Sequence, residues 1–160
     1  MKKLAVLLAV AVSAVAASAA IGSSKSVVAT GHTSLGTVLV NSKGLTLYLY
    51  EGDSGKQLGC SGACLSNWPP LTGTGVAKGG AKASDLGTVK RGSGTQVTYN
   101  GHPVYTFAGD SKAGQVNGEG IVLAGKTWYA VGPSGSAMIA TTKTTSSSSS
   151  SSSGSGGAGW

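Results

Sequence analysis

The chain has 160 residues, 27 of them glycine, and carries 12 Lys or Arg against 5 Asp or Glu, a formal charge of +7. That length bounds it to one domain with a modest core. Scattered carboxylates and two histidines offer little acid–base chemistry, and without a dense Arg/Lys cluster a nucleic-acid partner is not expected.

The first residues, MKKLAVLLAVAVSAVAASAA, set Lys2 and Lys3 before an apolar run from Leu4 to about Ala17, then small residues. This is the pattern of a signal peptide, expected over residues 1–19 and cleaved after Ala16 or Ala19. The run is shorter than the ~18 apolar residues of a spanning helix, so no transmembrane segment is expected in the mature chain. Loss of Lys2 and Lys3 lowers the formal charge by two, to +5. No cysteine stands near the cleavage region, so there is no lipobox, and a secreted or periplasmic location follows. An N-terminal segment, residues 20–34, leads into the domain.

Residues 35–140 read as an all-β domain built from two duplicated antiparallel units, 35–84 and 85–140, in a sandwich or barrel-like arrangement. Short runs rich in β-branched or aromatic residues, at Val38–Val40, Leu45–Tyr50, Gln96–Tyr99, Val104–Phe107, Ile121–Ala124, Thr127–Val131 and Ala137–Ala140, are separated by Gly, Asn, Asp or Pro. Asn100-Gly101 and Gly125-Lys126 suit two-residue hairpin turns, and Asn41–Gly44 a longer one. No segment of the domain keeps a 3.6-residue apolar period, so helices should be rare.

The duplication is written in one phrase. TLYLYEGDS recurs as PVYTFAGDS, pairing Tyr48, Tyr50 and Asp53 with Tyr105, Phe107 and Asp110 at a constant offset of 57. A second echo, Leu35-Gly36-Thr37-Val38 with Leu86-Gly87-Thr88-Val89, runs at an offset of 51. Period-two alternation puts Tyr48 and Tyr50 on one sheet face, opposite Leu47 and Leu49, and Tyr105 with Phe107 likewise. Gly-Asp-Ser then turns the chain. Asp there can lock the turn by accepting backbone N–H groups about two residues on, and the Gly permits a backbone that a Cβ forbids. The alternative is a recognition surface of rings and carboxylates.

Between the phrases stands CSGACLSNWPPL. Cys60 and Cys64 are the only two cysteines, and in an oxidising compartment they should pair into a local disulfide. Two further readings use the same residues: redox exchange, or copper held by Cys60 and Cys64 with His32, His102 or Met138 as further ligands. Trp68, His102 and Trp128 are possible binding residues, although packing suits Trp68 and an exposed turn suits His102. Trp128 and Tyr129, on opposite faces of a strand, would leave at least one side chain outward. Lys78, Lys82, Lys90 and Arg91 make the stretch between the phrases the most basic, which suits anionic cell-envelope polymers or envelope proteins.

Residues 141–160, a Ser/Gly-rich run ending in Trp160, have almost nothing to bury and read as a disordered tail.

Taken together, TLYLYEGD, CSGACLSNWPPL, YNGHPVYTFAGD and NGEGI…WYAVGPSG resemble the bacterial secreted repeat family, predicted lipoproteins with a Yx(F/W/Y)xxD motif. The resemblance implies an exported, envelope-associated domain and supplies no catalytic residues. Lipid anchoring, common in that family, lacks its cysteine here. The expected function is a non-catalytic binding or structural role outside the cytoplasm, without a cofactor. The alternatives are the redox or copper protein, and a glycan-active enzyme needing a facing pair among Glu51, Asp53, Asp85, Asp110 and Glu119.

Overall fold

The computed structural model describes residues 24–139. The signal peptide, its cleavage site, Ala140, the tail and Trp160 lie outside the described residues.

Nine short strands form three small sheets, and no closed barrel forms among the described residues. The first sheet holds β1 (Lys25–Thr33), β2 (Gly36–Val40) and β4 (Thr74–Ala77). The second holds β3 (Tyr48–Tyr50), β8 (Val122–Leu123) and β9 (Lys126–Ala130), and the third β5 (Leu86–Arg91), β6 (Gly94–Tyr99) and β7 (His102–Pro103). All strand pairs are antiparallel except β1 with β4. One helical turn, α1 (Cys64–Asn67), and a 3₁₀ turn at Ala83–Asp85 are the helical elements described.

The turns follow their residues. Asn100 (φ 48°) and Gly101 (φ 82°) make the expected hairpin between β6 and β7. In the β8–β9 hairpin the positive-φ pair is Ala124 (φ 51°) and Gly125 (φ 73°), one residue earlier than Gly125-Lys126 suggests, because Lys126 already pairs with Leu123. Asn41 Oδ1 accepts the N–H groups of Lys43 and Leu45, closing the longer turn.

β1, β4 and β5 are strands that composition does not announce. β1 reads KSVVATGHT, with a single fully buried residue, Val28; it is the central strand of its sheet, paired with β2 on one side and β4 on the other, and is held there more by its ladder than by core side chains. Its Gly31 lies against Val40, where an added Cβ would come 2.9 Å from a methyl carbon.

Alternation holds through the core. Tyr48, Tyr50, Tyr105, Trp68 and Trp128 share one buried cluster with Val38, Val40 and Cys60. Leu47, Leu49, Leu39, Val97, Val104 and Val131 share the other with Val28 and Tyr99. Trp128 and Tyr129 point to opposite clusters, but Tyr129 packs half-buried on the second, so neither ring stands free.

The two repeats interlock by exchanging their final strands. Leu39 N–H donates to the Val131 carbonyl (2.7 Å) and Val97 N–H to that of Leu71 (2.8 Å). Val131 N–H then donates to Leu47, and Leu71 N–H to Val104, each at 3.0 Å. Each repeat thus inserts its last segment into the other's hairpin. At the junction Tyr48 and Tyr105 exchange both backbone hydrogen bonds, at 2.8 and 3.0 Å, on an approximate two-fold axis. These matched bonds make β1 the counterpart of β5, and β2 of β6. The Leu-Gly-Thr-Val echo is therefore a coincidence of composition: its two copies run through β2 and β5, which occupy different places.

Candidate functional site

Two tyrosine–carboxylate joints cross the two-fold junction. Tyr48 Oη donates to Asp110 Oδ2 at 2.6 Å, and Tyr105 Oη to Asp53 Oδ2 at 2.8 Å. Each phrase therefore sends its first ring to the other phrase's carboxylate. The second oxygen of each Asp accepts a backbone N–H, but from farther along the chain than the expected two residues: Asp53 Oδ1 accepts Gly59 N–H (2.7 Å) and Asp110 Oδ1 accepts Asn117 N–H (3.0 Å), so each closes a longer loop instead of the local turn. Gly52 and Gly109 are required for a steric reason rather than for positive φ. A Cβ at Gly52 would collide with the Tyr50 ring, and one at Gly109 with the Phe107 ring, so the phrase's second aromatic lies flat on the following glycine.

The joints differ in their remaining partners. Gly118 N–H donates to Tyr48 Oη (3.2 Å). At the other joint Arg91 donates from Nη2 to Tyr105 Oη (2.7 Å), from Nε to Gln96 Oε1 (2.6 Å) and from Nη1 to the Cys60 carbonyl (3.0 Å). Arg91 is thus an internal clamp and not part of a basic surface. Burial, helped by the facing Asp110, pushes the Tyr48 phenol far above its ordinary range, and burial with Asp53 does the same to Tyr105. Burial also raises the Asp53 carboxyl, against the lowering by Tyr105, the Gly59 and Cys60 N–H groups and Arg91.

The aromatic rings stack across the same axis. Trp68 and Trp128 lie face to face with centroids 3.7 Å apart and planes at 2°. Tyr50 stacks on Trp128 (4.5 Å, 18°), and Phe107 packs on Trp68 at the same distance with its plane tilted by 34°. Tyr48 meets Trp68 edge-on at 5.4 Å, and Tyr105 meets Trp128 at 5.1 Å. Trp128 is fully buried, its Nε1–H without a hydrogen-bond partner among the described residues.

Cys60 and Cys64 form the disulfide, with Cα atoms 5.5 Å apart. Cys60 is buried, and Cys64 is half-exposed as the first residue of α1. His102 is exposed in β7, paired across the hairpin with Tyr99, and Met138 lies over Gly132. No group of three His, Cys, Asp or Glu able to hold a metal occurs among the described residues.

Two clefts open beside this framework. An apolar one of about 490 Å³ lies between the Cys60–Cys64 loop and the β8 hairpin, lined by Cys64, Trp68, Phe107, Ile121, Val122 and Leu123 among others. Val122 is 65% exposed at its rim. A second, of about 340 Å³, is lined by Lys56, Thr88, Val89 and Lys90. Neither includes a carboxylate in its lining, and the five acids all accept hydrogen bonds: Glu51 from Thr127 N–H, Glu119 from Ala130 N–H and Asp85 from the Ser84 hydroxyl, besides the two joints.

The signal for the crossed joints was present in the repeated Tyr and Asp, but nothing in one phrase says that its partner is in the other. Arg91 carries no motif at all.

No helix among the described residues is long and apolar enough to cross a membrane. Compared with known families, the chain matches a model described as a secreted repeat of unknown function twice, over residues 29–72 and 87–132. Both stretches run from β1 or β5 to just past the exchanged segment at Leu71 or Val131. No curated protein and no solved structure matches the chain.

Proposed function

As a member of the family of secreted repeats of unknown function, to which the chain belongs, we propose that this protein acts in the cell envelope or outside it as a non-catalytic binding domain for anionic envelope polymers. The observation that carries this reading is the cleft holding Lys56 and Lys90, one from each repeat, with no acid in its lining. Two like charges held beside one concavity repel each other, and a phosphate or carboxylate placed between them relieves that repulsion. The polar groups that would otherwise suggest chemistry are occupied as joints within the fold.

Titrating the mature protein with a poly(glycerol phosphate) polymer tests this. Saturable binding that weakens with salt is expected, and the double variant Lys56→Glu, Lys90→Glu should bind roughly tenfold more weakly at low ionic strength, the gap closing as salt screens it. Equal binding by both forms would remove the cleft from the reading.

A second reading, redox exchange or copper binding at Cys60 and Cys64, draws on the half-exposed Cys64 beside the apolar cleft. Mass spectrometry with and without reductant and copper separates the two. A disulfide resistant to mild thiols, with no metal uptake, favours the binding domain.

A further inference from the structure

We propose that the stacked aromatic interior is a one-electron relay: an oxidant at the apolar cleft takes an electron from Trp68, the hole is shared with the stacked Trp128, and it comes to rest on Tyr48, beside Trp68, as the phenol proton moves to Asp110, or on Tyr105, beside Trp128, as the proton moves to Asp53. The cleft brings an oxidant to the stack, because Trp68 and Phe107 line it. Planar aromatic or chelate-type one-electron oxidants are the class that suits so apolar a lining. From Trp68 the next ring is Trp128, 3.7 Å away and parallel, and each indole has one tyrosine set edge-on against it. Phe107 packs at the mouth without carrying the hole, since a plain benzene ring is much harder to oxidise than indole or phenol.

The direction follows from where protons can go. Trp128 Nε1–H has no acceptor among the described residues, so an oxidised Trp128 keeps its proton and remains a strongly oxidising radical cation. Both phenols, by contrast, already donate to a carboxylate oxygen, at 2.6 and 2.8 Å. A phenol that transfers its proton as its electron leaves is easier to oxidise than an indole that cannot. Burial that raises the Asp53 carboxyl makes it a better acceptor. The step balances: the oxidant gains one electron, the tyrosine O–H bond breaks, an O–H bond forms on the aspartate, and both tryptophans return to their neutral state.

This relay is independent of the polymer reading and is tested separately. Photogenerated tris(bipyridine)ruthenium(III) serves as oxidant, with transient absorption and electron paramagnetic resonance as readouts. An indolyl radical should decay as a phenoxyl radical grows, more slowly in D₂O than in H₂O. The phenoxyl signal should vanish in Tyr48→Phe, Tyr105→Phe. In Asp53→Asn, Asp110→Asn, which keeps side-chain size, its growth should slow roughly 10²-fold, the low end of what a positioned proton acceptor contributes. Phenoxyl growth on Tyr129 or another ring in the Tyr48/Tyr105 double variant would overturn the proposal. So would indolyl decay without phenoxyl growth, or equal rates in H₂O and D₂O, both read on the unaltered protein.

Discussion

The Tyr48–Asp110 joint and the Tyr105–Asp53 joint begin from the same residues and are finished differently. Asp110 is buried, 5% exposed, and its joint is completed by backbone N–H groups from Asn117 and Gly118. Gln115 Oε1 ties the intervening loop by accepting the N–H groups of Ser111 and Lys112. Asp53 is only half-buried, and its loop is held from outside: Arg91 grips Tyr105 and the Cys60 carbonyl, and the disulfide closes the following turn. One copy is stabilised by exclusion of water and neutral donors, the other by a guanidinium and a covalent clasp. A duplicated motif can thus keep its geometry while the devices that enforce it diverge.

The strongest way to break the comparison is to empty the indole stack that lies between the joints. Trp128→Ala should lower unfolding free energy by about 3–5 kcal/mol, the usual cost of emptying so large a buried site. Urea denaturation followed by circular dichroism measures it, and because Trp128 touches rings from both repeats, unfolding should stay one cooperative step. Asp110→Ala comes next. It leaves the buried Tyr48 hydroxyl and the Asn117 N–H without their acceptor, at a cost of roughly 3 kcal/mol. Asp53→Ala should cost less than half as much, because water reaches that joint and Arg91 still bonds Tyr105. Equal losses would mean that burial does not separate the two. Cys60→Ala with Cys64→Ala should cost about 2 kcal/mol, the chain-entropy value for so short a loop.

Much of this was legible beforehand. Period two separated Tyr48 and Tyr50 from Leu47 and Leu49 because both faces of the strand are buried against different clusters. Asn100-Gly101 specified its turn by φ alone, and two cysteines four apart had one intramolecular pairing available. The crossing of the joints was hidden because Tyr48 and Asp53 are neighbours in sequence, and only the pairing of Tyr48 with Tyr105 carries each ring to the far carboxylate. Trp68 and Trp128 were hidden as counterparts because their offset is 60, whereas the tyrosines are offset by 57; loops of unequal length mask the repeat. β1 was hidden because a strand with one fully buried residue has no strong apolar pattern, even at the centre of its sheet.

The tyrosines sharpen the comparison at alkaline pH. Both phenols are raised in the fold and ordinary, near 10, in the unfolded chain. Their contribution is complete below the unfolded value and is lost as pH rises, since the unfolded state releases protons that the fold retains. Stability should therefore fall above about pH 10 by at most about 1.4 kcal/mol per pH unit for each tyrosine. Tyr48→Phe and Tyr105→Phe should each remove one proton's worth of that slope, measured by urea titrations across the alkaline range.

The smallest effect lies on the acid side and belongs to one joint. The Asp53 carboxyl is raised in the fold above its ordinary value of 3.8, chiefly by burial. Folding therefore favours its protonated form, and this group's contribution should grow as pH falls through the raised value, levelling off below the unfolded one. The gain is shallow, because protonation weakens the same carboxylate's hold on Gly59 and on Arg91. Asp53→Asn, which mimics the neutral acid without titrating, should flatten this part of the stability profile relative to the unaltered protein. If the two profiles instead stay parallel through that range, Asp53 is not held above its ordinary value, and the contrast between a half-wet joint and a dry one must rest on Arg91 alone.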